Sequence, residues 1–437
     1  MRGGLMRGRQ MYRAVGRRPD FPLEPGPSQG LEGPFSSGKE VNRWVFDFVK
    51  THLHALHGGA LSHPEIKVDL FHALASPQYP AISKPRISFK TETGLVQVND
   101  DCIHSRVSYA GAEYYISLIG VATPRGTNYN VDITGFSGEA NRPDALRDLL
   151  IEAAINNSMY QGRILRVIEA PAAPDDEDPM DLEVEIVKDL ENAALADIFL
   201  PATISKELRQ FIECVTRYEE LGASARYLLS GPPGTAKTQI VRSIAKACEG
   251  KATIILASGG DSRLNMLFSF ASIFRPAILC IDDIDLVVGD RSRMSNKSVL
   301  GTFLQKLDGF TGNHVFVLAT TNDKAMVDLA ASRPGRFDQV IDVGALEPSN
   351  YVDLVKRRTT DPEIISLFEH PEVIDLLREK QVVGAFLANL VKHAIMSKLT
   401  NGHEGLTKAA LVEIINRTYR GFYQDPQQSQ VGFSTGF

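Results

Sequence analysis

No stretch of the 437-residue chain stays apolar for the roughly 18 residues that a membrane-crossing helix needs. No apolar core follows the basic start, as a secretory signal requires. Cysteine is scarce: Cys102, Cys214, Cys248 and Cys280 are scattered without metal-ligand or redox spacing, which points to reduced, mostly buried thiols. The pattern His-Glu-x-x-His is absent, and with it the zinc site that such a helix builds. A basic excess is also missing. The formal net charge is −6, which argues against a protein whose main task is coating nucleic acid. Histidine is better represented, and six of the ten lie between His52 and His104. In "HLHALH", however, His52 and His54 fall on different helix faces, and no carboxylate or cysteine completes a ligand spacing. These absences lead to the expectation of a cytoplasmic protein.

What is present is ordinary globular composition, 43% apolar and 23% charged, in a chain long enough for about three domains. Residues 1–38 are rich in Gly, Pro and Arg and read as a disordered basic tail. Six arginines and no acid in the first 19 residues resemble an organelle transit peptide, but Gly3, Gly4, Gly8 and Gly16 would weaken its helix. Order is expected from about Val41, where Val41, Trp44, Val45, Phe48 and Leu56 share a helical stripe. Strand-like runs follow from Ile87 to Ile133, then a helix in "RPDALRDLLIEAAINNS", so residues 39–170 read as a separate α+β domain. Residues 171–185 are an acidic, Pro-rich linker. Strand and helix patterns alternate over 186–345, helices dominate 346–423, and 424–437 read as a mobile polar tail.

Four elements in the alternating region carry chemistry. "SGPPGTAKTQI" lies between an apolar strand and a helix pattern and nearly fits the phosphate-loop spacing G-x-x-x-x-G-K-[ST]. Backbone N–H groups of such a loop converge on phosphate oxygens at a helix N-terminus, Lys237 reaches the β- and γ-phosphates, and Thr238 offers its hydroxyl to Mg²⁺. Ala236 stands where the second glycine belongs. In a first helical turn its methyl is harmless; at φ > 0 it carries strain of about 1–2 kcal/mol. The second element, "AILCIDDIDLV", is a buried strand that delivers Asp282 as a Mg²⁺ partner and Asp283 as the group to polarise an attacking water. The third, "VFVLATTN", ends in Asn322, an amide suited to the γ-phosphate or the water. The fourth, "SRPGRFD", sets Arg333 and Arg336 around a Pro-Gly turn, from which they can project to a phosphate held by a neighbouring subunit.

Taken in order, "GPPGTAKT", "CIDDID", "KLDGF", "ATTN", "SRPGRFD" and "VVGAFLANLVKHA" resemble an AAA ATPase of the AAA+ superfamily over residues 186–423. The resemblance implies a P-loop α/β module, a five-stranded parallel sheet with flanking helices and a helical lid, usually assembled as a hexameric ring with ATP at each interface. It implies nucleotide binding by Gly231, Pro232, Pro233, Gly234, Thr235, Ala236, Lys237, Thr238 and Gln239, with Walker B acids at Asp282 and Asp283. It further implies sensor 1 at Asn322, trans-acting arginine fingers at Arg333 and Arg336, lid contacts from Gly384 and Ala385, and an apolar adenine contact from Ile198. ATP and Mg²⁺ are the cofactors it brings.

Two departures qualify the family's pattern. Asp283 stands where the family has Glu, and a carboxylate about 1 Å too far back can cost on the order of 10²-fold in rate. The segment Ala257–Pro276 lacks the aromatic–apolar–Gly pore loop of substrate-threading members; its "DSRLNML" bears a short likeness to translocases of folded Rieske protein. Without His-Glu-x-x-His the chain is not expected to be a zinc protease of the family's membrane-bound type, and its "TGF" ending lacks the penultimate tyrosine of a proteasome-docking tail. The leading expectation is a ring-forming, ATP-driven protein remodeller whose client is selected by residues 39–170. The alternative is a nucleotide-gated scaffold or regulator with slow hydrolysis, favoured by Asp283 and the missing pore loop. A DNA-handling motor rests only on Ala236 and the basic tail.

Overall fold

The computed structural model describes residues 35–73, 88–91, 94–97, 102–123, 126–135, 142–168, 183–190, 194–258, 264–285, 314–322, 336–401 and 406–423. These residues form two compact units. One comprises the described parts of Met1–Asn42, Leu53–Thr123 and Thr127–Leu150; the other comprises those of Arg43–His52, Pro124–Gly126 and Ile151–Phe437. Most of the expected basic tail and acidic linker, all of "KLDGF", and the segment 424–437 lie outside the described residues.

The first unit is built from β1 (Phe35–Val41), β2 (Ile66–Ala73), the hairpin of β3 (Ser88–Thr91) and β4 (Gly94–Gln97), β5 (Cys102–Tyr109), β6 (Ala112–Thr123) and β7 (Gly126–Gly135). Five of these strands form one sheet in the order β1-β7-β6-β5-β2. Strand period 2 gives it a buried face: Ile103, Ser105 and Val107 on β5, Tyr114, Ile116 and Leu118 on β6, Val131 and Ile133 on β7. The Tyr114 hydroxyl accepts the Arg142 backbone N–H at 3.0 Å, which fixes the start of the helix Pro143–Asn156. Strand β1 already spans Phe35–Val41, ahead of the expected start near Val41. "FSSGKEV" has weak strand propensity, but β1 pairs antiparallel with β7 along its whole length, from Phe35 opposite Gly135 to Val41 opposite Tyr129.

The second unit holds a seven-stranded sheet. Its members are β8 (Ile164–Ile168), β9 (Glu183–Ile186), β10 (Arg226–Ser230), β11 (Thr253–Ser258), β12 (Ala277–Asp282), β13 (Val315–Thr321) and β14 (Gln339–Asp342), in the order β14-β10-β13-β12-β11-β8-β9. The five parallel strands expected from the sequence are there, β14 to β11. Two more extend the edge: β8 parallel to β11, and β9 antiparallel to β8. By sequence, β8 falls in the domain 39–170 and most of β9 in the linker. Their residues join this sheet instead, because β11 presents an edge that Ile164 and Leu165, both buried, cover.

With α1 (Arg43–His57) and α2 (Pro143–Asn156) as the first two helices, the second unit adds α3 (Ala202–Thr216), α4 (Tyr218–Leu221), α5 (Lys237–Cys248) and α6 (Leu264–Ala271). Ile240, Val241, Ile244, Ala245 and Cys248 of α5 recur at helical spacing and pack with Phe211, Leu229, Ile254 and Phe316 into one core. Burial pushes the Cys248 thiol up to about 12, which leaves it an inert apolar side chain. The helical region is a second core of α7 (Tyr351–Arg358), α8 (Pro362–Phe368), α9 (Pro371–Glu379), α10 (Gly384–Asn401) and α11 (Lys408–Tyr423), centred on Tyr351, Phe368 and Phe386.

Arg43–His52 of α1 also belong to the second unit, not to the separate N-terminal domain that the sequence suggests. The Trp44 ring meets Phe270 at 5.0 Å, and Phe48 lies 6.1 Å from Phe274 and 5.9 Å from Tyr160. Phe270 is fully buried and stacks edge-on against Phe274 at 5.2 Å. Phe270→Ala is therefore expected to lower stability by about 3–5 kcal/mol. A denaturant melt of this unit that moves by less than about 1 kcal/mol would show that this aromatic cluster contributes little.

Candidate functional site

Strand β10 ends at Ser230 and the chain turns at once through Gly231 and Gly234, whose φ values are 151° and 85°. Both positions need glycine for space as well as for dihedral. A Cβ on Gly231 would lie 2.2 Å from the Val343 carbonyl oxygen, and one on Gly234 would lie 2.8 Å from Ala385 Cβ. The loop is held by β14's continuation through the Val343 N–H, which donates to Ser230 O at 2.7 Å. It is also held by the lid, through the Ala385 N–H, which donates to Gly234 O at 3.1 Å. Ala236 settles the alternative left by the sequence. Its φ is 72° and ψ 19°, so it sits in the left-handed region and carries the strain, immediately before the first residue of α5.

That turn aims Lys237 inward. The side chain is only 5% exposed, and its ammonium donates to Gly231 O at 2.8 Å, Pro232 O at 2.9 Å and Asn322 Oδ1 at 2.8 Å. Burial lowers its pKa, opposed by the charges of Asp283, Asp282 and Asp285. Thr235 is buried and donates to Pro232 O at 3.0 Å, which tightens the loop.

The ends of β12 and β13 meet the loop from below. Asp282 accepts from Thr238 Oγ1 at 2.8 Å on one oxygen and from Thr320 Oγ1 at 2.6 Å on the other. Asp283 has φ 51°, donates its N–H to Thr320 Oγ1 at 2.8 Å, and accepts from Asn322 Nδ2 at 2.8 Å. Its pKa is raised, first by burial and then by the charges of Asp282 and Asp285, against the Asn322 hydrogen bond and Lys237. Asp285 accepts from Thr321 Oγ1 at 3.0 Å and from the Asn322 N–H at 3.1 Å. Asn322 thus touches both Lys237 and Asp283.

Thr235, Lys237, Thr238, Asp283 and Asn322 border a cavity of about 540 Å³, within the range of small-molecule sites. Pro233 to Gln239, Asp283 and Asn322 form one wall, and Gly384, Ala385 and Ala388 of the lid form another. The far end is apolar, with Ile198, Phe199, Leu200 and Leu354. There Arg357 of α7 lies over the Phe199 ring at 4.3 Å and donates to the Asp197 carbonyl. The expected Ile198, Lys237, Thr238, Gln239, Asp283, Asn322, Gly384 and Ala385 all face this one space. Gly231 and Pro232 act through the carbonyls that hold Lys237, and Asp282 through Thr238.

Of the two expected arginines, only Arg336 can be compared with the expectation. Arg333 lies outside the described residues. Arg336 is buried, at 6% exposed, so its side chain does not project outward from the turn as the sequence suggested. Sequence reasoning passed over Thr320, Thr321 and Asp285, although "ATTN" and "DDID" contain them, and over Arg357 and Phe199, which only the tertiary fold brings to the cavity.

Residues 227–345 match the family model described as "ATPase family associated with various cellular activities (AAA)". The ATP-dependent zinc metalloprotease FtsH 2 of Thermoanaerobacter sp. (strain X514) is 30% identical over 250 residues, 53% of this chain and 48% of that protein. FtsH 3 of Phytoplasma mali is 29% identical over 232 residues, 49% and 38% of the two chains. YME1, a subunit of the mitochondrial inner membrane i-AAA protease supercomplex of Saccharomyces cerevisiae, is 32% identical over 206 residues, 43% and 27%. The chain spans less than half the length of these curated relatives. A crystal structure of the FIGL-1 AAA domain in complex with ADP aligns with a TM-score of 0.40 and 24% identity, covering 55% of this chain and 89% of that one.

Ala236 yields a direct expectation. Ala236→Gly removes the left-handed penalty but adds unfolded-chain freedom, for a net stabilisation of up to about 1 kcal/mol. Equilibrium melts check it, and a destabilised glycine variant would mean that the methyl makes a favourable contact outweighing the strain.

Proposed function

We propose, on the premise that residues 227–345 are an AAA ATPase domain, that this chain binds ATP with Mg²⁺ in the cavity, hydrolyses it, and works as a ring of copies that remodels a protein client. The observation that carries the reading is convergence. Lys237, Thr238 with Asp282, and Asp283 with Asn322 reach one cavity of about 540 Å³ whose opposite wall is the lid.

The phosphate end of the cavity is the loop with Lys237, and the apolar end with Ile198, Phe199 and Leu354 suits a base. Phosphate oxygens entering the loop replace Gly231 O, Pro232 O and Asn322 Oδ1 as partners of the ammonium. Thr238 and Asp282 fit Mg²⁺: they are a hydroxyl and a carboxylate 2.8 Å apart, hard oxygen donors amid the negative charge of Asp282, Asp283 and Asp285. When bound, the ion neutralises phosphate charge. Asp283 accepts a proton from the attacking water, and Asn322 orients that carboxylate through its Nδ2 hydrogen bond. The raised pKa of Asp283 makes it a stronger base for this task.

Assembly is the finer part of the reading. Arg333 is assigned the trans-acting role, while the burial of Arg336 suits a role within its own subunit. The first unit, with its own buried sheet face and a cavity of about 550 Å³ beside His63, Lys67 and Tyr109, is assigned the client. Two of the relatives are ATP-dependent zinc metalloproteases by name and the third is a subunit of a protease supercomplex; these 437 residues contain no His-Glu-x-x-His, so proteolysis forms no part of the proposal. The second reading, a nucleotide-gated scaffold with slow turnover, is favoured by one feature: the short Asp283 side chain is tethered to Asn322.

Turnover per chain should rise steeply with protein concentration as particle size grows. Lys237→Ala should abolish ATP binding, and Arg333→Ala should slow turnover while leaving it intact. Dilute monomers that hydrolyse as fast as assemblies would rule out the interface mechanism, and unchanged ATP affinity in Lys237→Ala would rule out the loop. Asp283→Glu should raise kcat, by as much as about 10²-fold if the missing methylene costs about 1 Å of reach. A slower variant would show that carboxylate reach is not what limits the rate.

A further inference from the structure

We infer that Asp285 is a positioning residue for ATP turnover, whose carboxylate fixes Asn322 in the orientation from which that amide holds both Lys237 and Asp283. The inference rests on the proposed role of Asn322 in hydrolysis.

The sheet does not position Asn322 by itself. The β12 ladder reaches only to Ala319 on β13, opposite Ile281, and the β10 ladder ends at Thr321, opposite Ser230. Asn322 is the next residue. Its backbone N–H donates to Asp285 Oδ1 at 3.1 Å, and the same oxygen accepts from Thr321 Oγ1 at 3.0 Å. One carboxylate oxygen therefore takes the backbone N–H of the first residue beyond the β10 ladder and the hydroxyl of the last residue within it. From that anchor the Asn322 side chain divides its two ends, with Oδ1 accepting from Lys237 Nζ at 2.8 Å and Nδ2 donating to Asp283 Oδ1 at 2.8 Å. A swing of the Asn322 backbone breaks both at once, because the amide is too short to follow. Placing a third carboxylate beside Asp282 and Asp283 is electrostatically unfavourable without a cation between them, and the hydrogen bonds that it accepts offset that cost.

The hydrogen-bond geometry and the charge of Asp285 are separable. Both bonds fall on one oxygen, which Asn also possesses, so Asp285→Asn keeps the anchor and loses the charge, whereas Asp285→Ala loses both. Full-length Asp285→Ala, Asp285→Asn, Asn322→Ala and the double variant Asp285→Ala/Asn322→Ala would be compared in kcat, ATP affinity and thermal melting. Asp285→Ala should lower kcat roughly tenfold or more, within the ~10²-fold cost of a 1 Å misplacement, with ATP affinity changed less than about threefold. Asp285→Asn should stay within about threefold of the parent kcat, and the double variant should be no slower than Asn322→Ala, since residues acting through one another are not additive. A loss in Asp285→Asn equal to that in Asp285→Ala, or additive losses in the double variant, would overturn the inference. A normal Asp285→Ala beside a slow Asn322→Ala would overturn it alone, whereas a normal Asn322→Ala would overturn the assigned role of Asn322 as well. If Asp285→Ala does not fold, Asp285→Asn decides: retained kcat supports positioning by hydrogen bonding, and a tenfold loss refutes it.

Discussion

The site depends on the junction between the acidic end of β12 and the polar end of β13. Asp282 is tied to Thr320, Asp283 to Asn322, and Asp285 to Thr321 and the Asn322 backbone. Two unit charges 4 Å apart repel by about 4 kcal/mol even at an effective dielectric of 20, so three carboxylates within four residues require compensation. Hydroxyl, amide and ammonium donors from β13 and α5 supply it. The junction also bears on register. "AILCI" and "VFVLA" are apolar on both faces, so alternation does not specify how β12 pairs with β13. A one-residue slip leaves the apolar contacts largely intact but separates every acid from its donor. The polar tips thus give the sheet a register that its apolar centre leaves open.

Much of this was legible because it is local. The loop Gly231–Thr238, the acids Asp282 and Asp283 and the amide of Asn322 each sit at the end of an apolar run, and a run followed by a polar residue identifies a strand tip whatever its neighbours are. β8 and β9 were not legible in the same way. "ILRVI" and "EVEI" are short, and their place in the sheet is set by the free edge of β11 rather than by their own pattern. β1 shows the same override, since Ser36, Ser37 and Gly38 lower strand propensity while β7 supplies a full-length partner. The burial of Arg336 and the dihedral of Ala236 were beyond sequence reasoning for another reason: each depends on how a loop closes, and the same residues fit either outcome.

Among the described residues, Ala236 and Asp283 are two of four non-glycine residues with positive φ, and both line the cavity. Strain of this kind persists only where the surroundings over-determine it. At Ala236 the surroundings are specific. Its carbonyl accepts the first helical N–H of α5, from Ile240 at 2.9 Å, while Lys237, the next residue, is fastened by three hydrogen bonds. The left-handed turn is what directs Lys237 into the cavity rather than along the outside of α5. An untwisted Ala236 would lower local energy and lose the buried ammonium.

The same loop is joined to the lid by a contact that leaves little room for independent movement. Gly234 O accepts from the Ala385 N–H, and Gly234 is packed so close to Ala385 that even a methyl would meet it at 2.8 Å. Gly234 lies two residues before the strained Ala236, and Ala385 is the second residue of the long lid helix α10. Rotation of α10 away from the loop therefore forfeits a backbone hydrogen bond worth about 1 kcal/mol and the packing around it. Conversely, any change in the loop's shape shifts the carbonyl on which α10 rests. Loop conformation and lid position are thus energetically linked through the Gly234–Ala385 contact. Glycine at 234 is required for that link, because it admits both the positive φ and the close approach of Ala385.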